Sequence, residues 1–250
     1  MSERWRSGLA MVISAAVLVA MLFVGPGNEM AALRRVFGIG QDPLGTPADV
    51  PEGGTWAFLQ TQPSDDGDPV AWDPCREIRF EVNPDGGPDD ADDTVALVRE
   101  AVEEVSGLTG LQFDYLGETD RRPSWEANLV PRGRSEPVLI AWADEDEVEQ
   151  LSGDVAGIGG AVSQEARAGR WRRYVTGQVT LDRDVYAFLE DERDGEARGR
   201  AILLHELGHL VGLDHVDSPA ELMYADEVGV LDFAAGDRNG LVRLGQGRCG

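Results

Sequence analysis

The sequence predicts an α+β domain carried behind an N-terminal transmembrane segment, and three observations predict it. Apolar Ile78, Phe80 and Val82 alternate with charged neighbours, the period of a half-buried strand, 111–115 and 177–182 read as further strands, and 137–142 is a short apolar run. Val95, Val98, Val102 and Val105 stand three and four apart, the period of one helix face. The window Ala201–His215 holds all three histidines of the chain.

The 250 residues, 42% of them apolar, suit one medium domain with an appendage. Gly8–Val24 is a stretch of 17 residues without a charge, preceded by Arg4 and Arg6 and followed by Gly25-Pro26-Gly27. It reads as a membrane-targeting segment, residues 1–27. No small-x-small cleavage site is clear around Gly25–Ala32, and this favours an uncleaved signal anchor over a signal peptide. In the first case the domain is a single-pass membrane protein's extracytoplasmic part; in the second it is secreted. Asn28–Phe37 could extend as a juxtamembrane helix. Pro43, Pro47 and Pro51 among Gly, Asp and Thr give Gly38–Gly54 the composition of a spacer, so 28–55 is assigned to the juxtamembrane segment and linker and 56–250 to the domain.

Within that domain Trp56–Leu59 is an early strand or flap, and Trp72–Asn83 a strand ended by Asn-Pro. Acids at 89–93 open a helix that is expected to stop at Gly107. Leu111–Tyr115 and Pro137–Trp142 are further strands, with a polar loop bearing Pro123 and Pro131 between them. Gly177–Asp182 is the next strand and Glu190–Arg200 a charged surface stretch. The histidine-bearing helix runs from about Glu196 to Val211. Asp237 is expected to be the N-cap of a closing helix, Arg238–Leu244.

Charge excludes some partners. The net formal charge is −24, and beyond Gly40 there are 18 Arg against 44 acids. Such a field repels phosphate backbones, so nucleic acid is not an expected partner, and a steered substrate should be basic. The chain is expected to be a monomer.

The chemistry lies in His205, Glu206, His209, Gly212 and His215, which spell H-E-x-x-H-x-x-G-x-x-H. On a helix His205 and His209 leave one face a turn apart and can take two corners of a tetrahedral zinc site. Glu206 is rotated about 100° from His205, beside the metal rather than on it, as a base for metal-bound water must be. Gly212 can adopt the left-handed conformation that ends a helix and turns His215 back as a third ligand.

These residues resemble the metzincin metallopeptidases, most closely the bacterial matrixin-like (M10-type) forms, and Leu222-Met223-Tyr224 resembles their Met-turn. The resemblance implies a zincin-like catalytic domain: a twisted mixed sheet, a long helix packed on it, an active-site helix and a C-terminal helix. It implies a zinc endopeptidase cleaving internal bonds of peptides or proteins, with His205, His209 and His215 on the metal, Glu206 as catalytic base and Met223 beneath the histidines. It further implies that Gly160–Ser163 is an edge strand to which the substrate adds. Calcium is a possible second cofactor, with Asp144, Asp146 and Asp154 as candidate ligands. Tyr224 directly follows Met223, so it is read as a wall of the substrate pocket or as core, not as a catalytic group. Asp214 either orients an imidazole or is a surface aspartate.

Cys75 and Cys249 are read as a disulfide of an oxidising compartment. The alternative is a thiolate that occupies the metal's open position, as Arg248-Cys249-Gly250 superficially resembles the matrixin switch tripeptide. Two other functional classes compete with the peptidase. One is an exported non-catalytic zinc-binding or adhesion module, against which the intact Glu206 argues. The other is an archaemetzincin-like aminopeptidase, a group whose motif continues into further cysteines, whereas here the only cysteine after His215 is Cys249.

Overall fold

Where apolar side chains recur every second residue the backbone extends, and where they recur at three and four it coils; a computed structural model shows how these segments meet. It describes residues 42–63, 67–125, 136–165, 171–226 and 229–249. The expected membrane segment Gly8–Val24, the expected juxtamembrane helix Asn28–Phe37 and Pro131 lie outside the described residues. Among those described, no helix is long and apolar enough to cross a membrane. The chain divides into two units, Met1–Pro43 with Cys249 and Leu44–Arg248 with Gly250, and every element named below belongs to the second.

The elements are, in order, β1 (Ala57–Phe58), β2 (Ile78–Asn83), α1 (Ala91–Thr109), β3 (Phe113–Glu118) and β4 (Val138–Ala143). They continue with β5 (Gly157–Glu165), β6 (Arg172–Asp182), α2 (Arg183–Glu190), α3 (Gly195–Val211), β7 (Leu213–Asp214) and α4 (Ala235–Gly245). Five strands form one sheet in the order β3-β2-β4-β6-β5. The first four run parallel; β5 lies antiparallel on β6 at the edge. Strand β4 lies at the centre of the sheet between β2 and β6 and is covered on both faces, so it reads Val-Leu-Ile-Ala-Trp-Ala without polar alternation and is buried throughout. Val98, Val102 and Val105 of α1 join Phe80, Ile140, Val179 and Leu203, Leu204 and Leu207 of α3 in one core. A smaller cluster of Ala143, Val148 and Leu151, with Trp125 and Ile158 packed against it, forms apart from that core.

Several boundaries differ from the sequence reading. Helix α1 does not stop at Gly107 but runs to Thr109 and is capped by Gly110 at φ 72°, whose N–H donates to the Ser106 carbonyl. A glycine inside a helix is tolerated at a small cost, whereas one in the left-handed region ends it. Asp237 is not the N-cap of the closing helix: α4 begins at Ala235 with Ala234 as N-cap, and Asp237 sits in its first turn. The spacer composition holds no regular structure from 44 to 55, yet this segment is fastened to the domain. Leu44 N–H donates to the Pro74 carbonyl and Ala48 N–H to that of Leu108. Asn239 Nδ2 donates to the carbonyls of Pro51 and Gly53. Cys75 and Cys249 are both disulfide-bonded, which leaves no free thiolate to act as a metal ligand.

Candidate metal centre and its cleft

Helix α3 supplies two histidines from one face, and the segment that follows it supplies the third. Gly212 closes the helix at φ 123°, with its N–H donating to the carbonyls of Gly208 and His209. A side chain at that φ is strained, and a Cβ there would also stand 3.0 Å from both Leu244 and Tyr174. The chain then enters β7, which pairs antiparallel with β1 through Ala57–Asp214 and Phe58–Leu213. The early segment at 57–58 thus braces the residues just before His215. Asp214 accepts the backbone N–H of His215 at 2.8 Å, so its contact is with the main chain of the third histidine and not with an imidazole.

The three Nε2 atoms of His205, His209 and His215 form a triangle with every side 3.1 Å. The hydrogen-bonding of the other ring nitrogens says what those atoms are. His205 Nδ1 lies 2.8 Å from the Leu222 carbonyl and His209 Nδ1 2.9 Å from that of Leu213. A carbonyl only accepts, so both Nδ1 atoms carry the proton and both Nε2 atoms present a bare lone pair. Burial pushes the His205 imidazole down to about 3 and that of His209 down to about 4, so the rings are neutral at pH 7. Lone pairs aimed at one another at this distance repel unless a cation lies among them. The donor set, three imidazole nitrogens at nearly tetrahedral spacing, is that of zinc.

Beside them Glu206 is buried on the same helix. One carboxylate oxygen accepts the Gly159 N–H, and Oε2 has no partner. Burial drives the carboxyl up to about 8, only partly offset by that hydrogen bond. A buried, orphaned carboxylate oxygen is costly to keep and marks a group held for use. The contact is possible because β5 runs almost against α3: a Cβ on Gly159 would overlap the Glu206 backbone, and one on Gly157 would lie 2.8 Å from Glu206 Cγ. The sequence reading placed the strand function at Gly160–Ser163 and missed Gly157 and Gly159. Their spacing of two within a strand, on the face opposite Ile158, was the available signal.

Met223 is buried, and a Cβ on Gly208 of α3, the residue before His209, would come within 2.7 Å of its sulfur. Two buried carboxylates set the turn that carries it. Asp237 accepts the N–H groups of Leu222, Met223 and Ala234, at 2.7, 3.2 and 2.8 Å. Glu221, which the sequence reading did not single out, accepts from Gly236 and Asp237 through Oε2 and from Thr55 through Oε1. It thereby caps the first turn of α4 and ties it to the segment before β1. The Leu222 carbonyl fixed between them is the one that orients His205.

A cleft of about 810 Å³ opens over the site, lined by Gly157–Gly159 of β5, by His205, Glu206, His209 and His215, and by Leu222 and Tyr224. Tyr224 is therefore a wall. The expected calcium ligands do not assemble: Asp144 is paired with Arg183, and among the described residues Asp144, Asp146 and Asp154 form no converging group. The family model described as Matrixin matches residues 71–240, which takes in both the sheet and the histidine site. No curated protein gives a significant match.

Proposed function

The chain belongs to the matrixin family of metallopeptidases, and from that premise we propose that it is a zinc-dependent endopeptidase cutting internal bonds of extracytoplasmic peptides or proteins. The observation that carries the reading is the unpartnered Glu206 Oε2, buried beside three converging imidazoles that line an open cleft. A zinc-binding module without catalysis has no use for a carboxylate held at such cost.

His205, His209 and His215 would hold the zinc, which when bound polarises a carbonyl and acidifies a water in its remaining position. Glu206 takes up a proton at Oε2 and returns it to the departing amine. The Gly159 N–H keeps the other oxygen of that carboxylate fixed during the transfer. Strand β5 is paired with β6 on one side only, and its other side borders the cleft. An extended peptide lying there gains main-chain hydrogen bonds as an added strand. Asp154, Asp214 and Asp226 at the cleft, with the net charge of −24, favour basic segments. The apolar run Gly8–Val24 and the disulfide state of both cysteines support a domain outside the cytoplasm, anchored or released.

Glu206→Gln is expected to bind one zinc per chain with peptidase activity lowered by about a hundredfold or more. Cleavage of a quenched peptide library at the wild-type rate by that variant would remove the assigned base.

A further inference from the structure

The three histidines are not held alike. His205 and His209 have their rings oriented from behind, by the Leu222 and Leu213 carbonyls on Nδ1. Among the described residues no such carbonyl meets His215 Nδ1, and His215 is the exposed member of the three. Its place is set instead by how the main chain on either side of it is held. On one side Val216 N–H donates to the Met223 carbonyl at 3.0 Å. On the other, Leu213 and Asp214 of β7 pair with Phe58 and Ala57 of β1, and Leu59 N–H donates to the Gly212 carbonyl at 3.0 Å. A ligand without a partner of its own on the far ring nitrogen depends on these backbone contacts for its aim.

The strap that makes the second set of contacts is pinned at both ends. Before it, Thr55 N–H donates to the buried Glu221 at 3.2 Å. After it, the Ser163 hydroxyl of β5 donates to Gln60 Oε1 at 2.8 Å. Buried Gln62 then donates through Nε2 to the Arg172 carbonyl of β6 at 2.7 Å and accepts the Arg172 N–H at 2.8 Å. Between these points Phe58 packs on the main core. A segment fixed on two sides cannot slide, so the register in which it meets β7 is imposed on β7. Residues 55–62 also precede the matched stretch 71–240, so this brace on the third histidine is supplied from outside it.

We propose that residues 57–59 are positioning residues for the third metal ligand: their backbone pairing with Gly212–Asp214 keeps His215 where its Nε2 meets those of His205 and His209. This rests on the zinc reading above and adds to it the segment that completes the site.

The full chain carrying Leu59→Pro lacks the N–H that meets Gly212. Zinc affinity is measured by competition with a chromophoric chelator, and coordination is read from the visible bands of cobalt-substituted protein, which change when an imidazole leaves the ion. Leu59→Pro is expected to bind zinc about tenfold or more weaker than wild type, with a cobalt spectrum moved toward that of His215→Ala. Leu59→Ala keeps the N–H and is expected to retain the wild-type spectrum and an affinity within about twofold. Phe58→Ala loosens the strap from the core while leaving every backbone donor in place, and its affinity should fall between the two. Metal-free melting curves show which variants are folded; should Leu59→Pro not fold, Phe58→Ala carries the same test. Strap variants that bind zinc as wild type does overturn the proposal, and so does weaker binding with the wild-type cobalt spectrum. Wild-type protein that takes up no zinc removes the peptidase reading and this proposal together.

Discussion

Gly159→Ala adds one methyl group at the point where the edge strand touches the histidine-bearing helix. That Cβ would lie 2.8 Å from the Glu206 carbonyl carbon and 3.0 Å from its Cα, and closer still to the carbonyl oxygen. All three are backbone atoms of a buried helix, so no side chain can rotate aside; β5 must retreat. Retreat stretches the Gly159 N–H away from a carboxylate whose other oxygen already lacks a partner. Overpacking of this kind costs about 1–3 kcal/mol. Loss of a buried hydrogen bond to a carboxylate adds about 1–3 kcal/mol, so urea denaturation should show the variant less stable by about 2–6 kcal/mol. The matched control is Gly160→Ala on the opposite face of the strand, where the new atom meets the Trp125 ring at 3.5 Å, an ordinary contact. It should change stability by less than about 1 kcal/mol. Peptidase activity should follow the same order, with Gly159→Ala impaired more than Gly160→Ala. If Gly159→Ala unfolds at the same urea concentration as wild type and cleaves as fast, the strand does not position Glu206.

Metal-free protein should lose stability toward both ends of the pH scale. In the fold the Glu206 carboxyl is raised from 4.5 to about 8, so its contribution is full below its unfolded value and is lost as pH climbs toward 8. His205 and His209 are lowered from 6.5 to about 3 and about 4, so their contribution is lost as pH falls from 6.5 through those values. In chelator, Glu206→Gln should therefore gain on wild type in melting temperature between pH 5 and pH 8, and a constant difference across that range would contradict the buried-carboxyl argument. Glu221→Ala leaves the N–H groups of Thr55, Gly236 and Asp237 without their acceptor, at a cost of about 2–4 kcal/mol. A loss below about 1 kcal/mol in urea denaturation would show that those groups find other partners.

The parts legible in the sequence are those in which one local pattern decides the outcome. The valines of α1, the uniformly apolar β4 and the motif from His205 to His215 each state their own conformation or chemistry. The parts that were not legible depend on what lies across from them. Helix α2 is only eight residues with a buried Tyr186 and Leu189, too short to show a period, and it is held by its packing on α3 and β4. Asp237 looked like the start of a helix because aspartate favours that position; its carboxylate instead gathers three N–H groups, from Ala234 at the helix start and from a turn 14 and 15 residues upstream. Nothing in the sequence sets Glu221 apart from the other acids of a chain that has 46 of them. Burial against α4 and the segment before β1 made it structural.

By itself the amino-acid order determined that three imidazoles and a carboxylate sit on and just beyond one helix, because spacing along a helix is a property of the chain alone. The fold decided which backbone N–H groups that carboxylate meets, which carbonyls set the tautomers of His205 and His209, and which segment braces the residues before His215. Those partners come from β5, β7, the turn at Leu222 and β1, segments separated in sequence, and only close packing brings them within hydrogen-bonding distance.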